Sequence, residues 1–387
     1  MSDSSKTQVR VYRETTWGED PSTANKMTDL NVTSESLTQQ TNVVRSANIR
    51  ADGNTPSVNR TGITASGDIG VEMNYGDGLN LLFEGCLRST FGTDVGVAAA
   101  TTVAAVATGN KLTDSANGFV NVQVGQWINV TGFATDANNG YFRVIAKVSD
   151  GEIDVEGGIL VDEAAGPAVT VKGSLLKNET TDQSFLVEVE RSDINIFKYF
   201  TGMRVGQAQF NFAPNSLVTG SFSLRGKQEQ TATVTQGDGA PNAAATTRSM
   251  NAVDNIQGVF EDGSASPLCI TNFTFTISPA LRDQACIGSL PLSGIGSGTQ
   301  TAQITIEAYL EDNTGLDDYL NFEQKKLALV IEDVEGNAYV FDFPSTVPST
   351  GEDPTGGLDQ DVLQRFTFEA FLNTDLGATV GITKIDA

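Results

Sequence analysis

The chain of 387 residues contains no histidine, only 3 cysteines and only 2 tryptophans. Without an imidazole it cannot build a Ser-His-Asp or Cys-His nucleophile, nor a His-ligated metal centre. Carboxylate-only chemistry survives, but sugar hydrolysis on two acids usually comes with aromatic platforms, and Trp17 and Trp127 stand far apart in sequence. Cys86, Cys269 and Cys286 are odd in number and widely spaced, with no CxxC, so neither a disulfide framework nor a zinc site is supported. A reducing compartment fits. Basic residues are also scarce: 24 Lys and Arg against 48 Asp and Glu give a net charge of −24, which disfavours a tight grip on phosphate. Long apolar runs are missing as well. The N-terminus MSDSSKTQVR has no signal-type core, and the Ala/Thr-rich stretch 95–108 is too short for a bilayer, so a soluble chain without membrane insertion is expected.

What is present points to β structure. The chain has 39 Gly and 39% hydrophobic residues, is rich in Thr, Val, Ser and Asn, and has few long runs of 3.6 periodicity. Two stretches echo each other, 66–83 (SGDIGVEMNYGDGLNLLF) and 301–322 (TAQITIEAYLEDNTGLDDYLNF). Each reads as an alternating strand, an acidic Gly-containing turn and a short amphipathic segment. In the first, Ile69, Val71, Met73 and Tyr75 oppose Asp68, Glu72 and Asn74; in the second, Ile304, Ile306, Ala308 and Leu310 oppose Gln303, Thr305, Glu307 and Glu311. Two copies of a half-buried sheet unit in one chain favour assembly over catalysis, and no cofactor is expected.

Motif-like hits dissolve on inspection. Residues 220–227 (GSFSLRGK) have the wrong spacing for a phosphate loop and lie in alternating β sequence. The segments 135–140 and 332–336 carry oxygen ligands near a Gly without the spacing of a calcium loop, and read as hairpin turns.

The organisation expected is a first lobe, 1–96 and 178–229, interrupted by an inserted β-barrel or sandwich at 97–177, then a linker at 230–249 and a second lobe at 250–387. Within the first lobe, 14–22 reads as a lead-in loop, 41–62 as a long polar loop, 194–201 as one helical turn, and 203–212 with 217–225 as a hairpin. In the second, 316–322 reads as helical, 326–332 and 339–343 as strands, 344–361 as a Pro/Gly/Asp-rich loop and 364–372 as the closing strand.

Residues 12–21 (YRETTWGEDP), the loop 41–62 followed by 66–75, and the block 197–226 together resemble the tail tube (major tail) proteins of long-tailed, non-contractile bacteriophages. The resemblance implies a mainly β fold of two tail-tube-type antiparallel lobes, tandemly duplicated, whose sheets close with neighbours into a barrel around a DNA channel. The small inserted β domain would project from the tube and make weak host-surface contact. It further implies a virion protein made in the host cytoplasm, with itself, tail terminator, tape measure and tail-tip proteins as partners, and DNA passing without tight binding. Strand alternation then nominates Asp68, Glu72, Glu188, Glu190, Glu307 and Glu369 as lumen-facing carboxylates that repel DNA. In the long loop, Arg45, Arg50 and Arg60 are candidates for ion pairs between rings, while Val43, Val44 and Ile49 would carry more of the stacking energy. A ring needs three chains if both lobes line the channel and six if one does; three is favoured. A rival reading, an adhesive or carbohydrate-binding β-rich surface protein, would leave the chain monomeric.

Overall fold

In the computed structural model, which describes residues 3–19, 26–157 and 160–387, the period-two runs of Val, Ile, Phe and Thr form strands. The first half of the body contains β1 (Thr7–Arg13), β2 (Thr38–Arg45), β3 (Val58–Glu72), α1 (Asp77–Leu87), β4 (Phe185–Arg191), β5 (Ile196–Phe212), β6 (Thr219–Gly226) and β7 (Gln228–Ala232). The second contains β8 (Ile256–Glu261), β9 (Ile270–Ser278), β10 (Thr301–Tyr309), α2 (Thr314–Asn321), β11 (Lys325–Glu332), β12 (Ala338–Glu352), β13 (Leu363–Ala370) and β14 (Gly381–Ile385).

One antiparallel pairing scheme recurs in the two halves. In the first, β1 pairs with β4, β4 with β5, β5 with both β7 and β6, β6 with β3, and β3 with β2. In the second, β8 pairs with β11, β11 with β12, β12 with both β14 and β13, β13 with β10, and β10 with β9. Even the irregularities correspond: the register shift between Val205 and Gln207 in β5 matches the one between Pro348 and Thr350 in β12. A proline fits there because a bulge does not require its missing N–H.

The halves join where β5 pairs with β9, giving one eight-stranded sheet in the order β2-β3-β6-β5-β9-β10-β13-β12. Strands β5 and β12 are long enough to leave this sheet and enter a second layer. In β5 the bend falls at Gly202, whose φ of 66° is open to glycine at little steric cost. Trp17 packs against it and donates its Nε1–H to the Gly202 carbonyl at 3.0 Å. The lead-in loop expected at 14–22 is therefore anchored as far as it is described; its residues 20–22 lie outside the described residues.

Between the layers lies an aromatic core. Helix α1 directs Phe83 into it, with ring centroids 5.5 Å from Phe210 and Phe222 and 5.7 Å from Phe341. Asp77 in the first turn favours the helix dipole, and Arg88 in the left-handed conformation ends the helix. Truncating a side chain such as Phe83 to Ala costs about 3–5 kcal/mol.

Several local expectations are corrected. Residues 194–201 form no helical turn: β5 already starts at Ile196, and the run Phe197–Phe200 is a strand paired on both edges. The loop 41–62 is mostly a β hairpin, since β2 and β3 pair from Thr38 opposite Ser66 to Arg45 opposite Val58. The loop 344–361 loses its first part to β12, and the closing β14 was not foreseen.

The insertion forms its own seven-stranded sheet, whose strands span Val97–Lys172, around a separate core that includes Leu112, Phe119, Ile128, Val144 and Val171. Ser174–Lys177, read above as its end, pairs with β14 in the body. The insertion docks through Trp127 and Tyr141 on Ala328, Val330, Ala338 and Val340. These residues occupy the face of β11 and β12 opposite Leu329 and Phe341, which point into the main core. Sheet β11–β12 is thus covered on both sides.

Candidate assembly surface

One face of the eight-stranded sheet is the main core and the other is polar. Along β5, Ala208, Phe210 and Phe212 are buried while Gln207, Gln209 and Asn211 point the opposite way; along β9, Phe273, Phe275 and Ile277 oppose Asn272, Thr274, Thr276 and Ser278. Serines 221 and 223 in β6, Gln303 and Thr305 in β10 and Thr367 in β13 continue this face. It is a wall mostly of amides and hydroxyls that bond one another, as Thr274 does in donating to Asn211 Oδ1 at 2.8 Å. The strict alternation from Gln207 to Phe212 carries this signal in the sequence.

Four of the six nominated carboxylates share this face, each with a partner. Asp68 Oδ1 accepts from the Ser223 hydroxyl at 2.5 Å, Glu72 from Ser249 at 2.7 Å, and Glu369 from the Gln303 amide at 2.7 Å, while Glu307 faces Arg365 at 3.4 Å. Glu188 and Glu190 belong elsewhere. They sit on β4 in the second layer, where Arg10 reaches Glu188 at 3.0 Å, Glu190 at 2.7 Å and Asp29 at 2.9 Å. Glu188 has 0% exposure and also accepts from the Thr235 hydroxyl and the Gln236 backbone N–H. Burial alone would lower the Arg10 pKa, but the three carboxylates hold it above its ordinary value. Alternation alone could not place Glu188, because both faces of β4 are covered.

The hairpin of β2 and β3 extends well beyond the core. Val43, Val44 and Ile49 are exposed, the last completely. Arg50 pairs with Asp52 at 2.7 Å within the tip, and its hydrogen bonds hold the Asp52 carboxyl down at about 2. Among the described residues Arg45 and Arg60 have no ion-pair partner within the chain. At the hairpin base, the Ile63 N–H donates to the Leu290 carbonyl at 3.1 Å, so the 279–300 loop lies against it.

Two edges of the wall stay open among the described residues. Strand β2 pairs only with β3, and the last part of β12 only with β13. The Gln39 N–H, on the outer side of β2, is occupied by the Glu229 carboxylate at 2.9 Å, while the Glu229 N–H donates to Gln39 Oε1 at 3.2 Å. Nothing in the sequence signalled this clasp.

An antiparallel β body with one continuous polar face and two open strand edges defines a structural module. Residues 4–370 match the family model described as phage tail tube protein, and the chain belongs to that family. It is a structural protein of the bacteriophage virion tail, which assembles with itself into a tube and associates with other tail proteins. No curated protein matches the chain.

Proposed function

We propose that the eight-stranded sheet is a segment of the tube wall, polar face inward, and that stacked rings of the chain form the conduit through which DNA is delivered to the host. The recurrence of one pairing scheme in both halves carries this reading, since the internal β5·β9 junction supplies a pattern by which one unit would join the next. Both halves then line the channel as products of tandem duplication, and three chains complete a pseudo-sixfold ring. A heterologous contact of this kind closes when its rotation closes.

The lumen is lined mostly by neutral hydroxyls and amides, with Asp68, Glu72, Glu307 and Glu369 among them and its arginines Arg225 and Arg365 paired with Asp283 and Glu307. Such a surface offers little cationic grip to phosphate, so DNA slides rather than binds. The hairpin arm reaches the next ring, with Val43, Val44 and Ile49 burying apolar surface and Arg45, Arg50 and Arg60 meeting acidic partners. The insertion lies on the side of the body opposite the polar face, as an outward projection able to touch the host surface weakly. Synthesis in the host cytoplasm precedes assembly, and the tail terminator, tape measure and tail-tip proteins meet the finished tube at its ends or inside it.

Electron microscopy of the purified protein, with the mass of an isolated ring, tests the proposal. Hollow tubes or rings of three chains are expected. A chain that stays monomeric at high concentration would sink it, and a six-chain ring would reduce the wall to one lobe per chain.

A further inference from the structure

The seam between chains can be read to the residue from the seam within the chain, an inference that rests on the tube reading above. Across the first half of the wall, Thr38 lies opposite Ser66, Ser66 opposite Arg225, and Arg225 opposite Arg204. Across the second, Thr276 lies opposite Gln303, Gln303 opposite Glu369, and Glu369 opposite Val347. These are equivalent rows. Four residues further along, beyond the matching bulges, Ala208 of β5 therefore corresponds to Gly351 of β12, and Gln209 to Glu352. At the internal junction Ala208 sits opposite Ile277 and Gln209 opposite Thr276. Ile277 and Thr276 in turn correspond to Gln39 and Thr38.

We infer that residues 350–352 of one chain add to the β2 edge of a second copy, with Gly351 opposite Gln39 and Glu352 opposite Thr38, replacing the Glu229 clasp. Both edges are open, and the edge direction agrees. The Ser36 N–H donates to the Asp68 carbonyl at 3.0 Å, so even-numbered residues here turn their N–H toward β3 and Gln39 turns outward. In the free chain that outward N–H holds the Glu229 carboxylate, itself paired with Lys198 at 3.2 Å. An incoming Gly351 carbonyl takes the same place, as strand addition requires. Thr38 and Glu352 then form a non-hydrogen-bonded pair on the polar face, the closer of the two antiparallel pair types, within reach of a disulfide.

The test uses the full chain with the exposed Cys269 and Cys286 changed to Ser and the buried Cys86 retained. Thr38→Cys with Glu352→Cys, assembled and mildly oxidised, should give a covalent ladder ending at the ring size on non-reducing gels. Gln40→Cys with Glu352→Cys, two residues out of register, should stay monomeric on the same gel. Tubes in which the first pair stays unlinked, or in which only the second links, overturn the seam while leaving the tube reading intact. If the parent protein forms no rings at all, the tube reading falls and takes the seam with it. Hydrogen exchange on the unmodified chain gives a measurement free of mutation. The outward amides of Gln39 and Gly351 should slow by about tenfold or more on assembly, and unchanged rates in formed tubes overturn the seam.

Discussion

Arg143 of the insertion donates its Nε–H to Asp342 Oδ2 of the body at 3.2 Å, both side chains nearly inaccessible, and Arg143 also lies 3.4 Å from Glu156. Around them Lys326 pairs with Glu156, and the Tyr141 hydroxyl donates to Glu332 at 2.5 Å. The insertion is thus fastened by a polar knot beside the apolar Trp127 contact. Removing one member of such a buried pair leaves an uncompensated charge. Arg143→Met should cost about 3–5 kcal/mol in denaturant unfolding, and Arg143→Met with Asp342→Asn should recover much of the loss.

Acid should weaken the insertion itself before that fastening. Burial acts to raise the Asp114 carboxyl, but hydrogen bonds from Thr102 and the backbone N–H groups of Ala116 and Gly118 outweigh it and hold the pKa below its ordinary value. Glu163 is likewise held low: desolvation acts to raise it, but the hydrogen bonds from Ala134, Thr135 and Asn138 together outweigh that. Both therefore contribute stability above the unfolded carboxylate pKa that is lost as pH falls through the folded values. Asp342 runs the other way, raised by burial against the pull of Arg143, so its contribution is full below its unfolded pKa and lost as pH rises. Trp127 fluorescence in a Trp17→Phe background should report a transition below about pH 4 that moves with Asp114→Asn and not with Asp342→Asn.

Deleting 97–172 while keeping Ser174–Lys177, which pairs with β14, should leave tube assembly intact. The deletion uncovers Val330 and Val340, so both are changed to Thr in the same variant. Tubes of normal length with a thinner outer profile are the expected micrograph; soluble, folded monomer without tubes would make the insertion part of the wall.

On the hairpin arm, Val44→Asp and Ile49→Asp alter exposed side chains and should change monomer stability by no more than about 0.5 kcal/mol. Rings should still form and fail to stack. Light scattering separates rings from tubes, and unchanged tube length would remove the arm from the ring contact.

Glu229→Ala frees the Gln39 N–H from its clasp. A hydrogen bond to a charged group is worth about 1.5–3 kcal/mol, so the concentration needed for polymerisation should fall by about tenfold or more. A rise in that concentration would mean that Glu229 supports the seam.

Much of the wall was legible because a sheet with one wet and one dry face writes its burial into alternate residues. The alternation of β10 and the hairpin of β5 and β6 followed from that rule, and the segment that became α2 from its own amphipathic spacing. It failed where both faces are dry or both are wet. Glu188 was misplaced because both faces of β4 are covered, and the 41–62 hairpin looked like a loop because its two strands stand in solvent. Proline at 344 and 348 suggested a break where β12 only bulges and changes layer.

By itself, then, the sequence determined a β-rich acidic chain with a repeated half-buried strand, since these depend on residue type and spacing alone. The tertiary structure decided which carboxylates share the polar face, why Glu188 is locked to Arg10 and which edges remain open. Those properties depend on what lies across from a residue, and strand partners up to hundreds of residues apart in the chain are set only when the layers close.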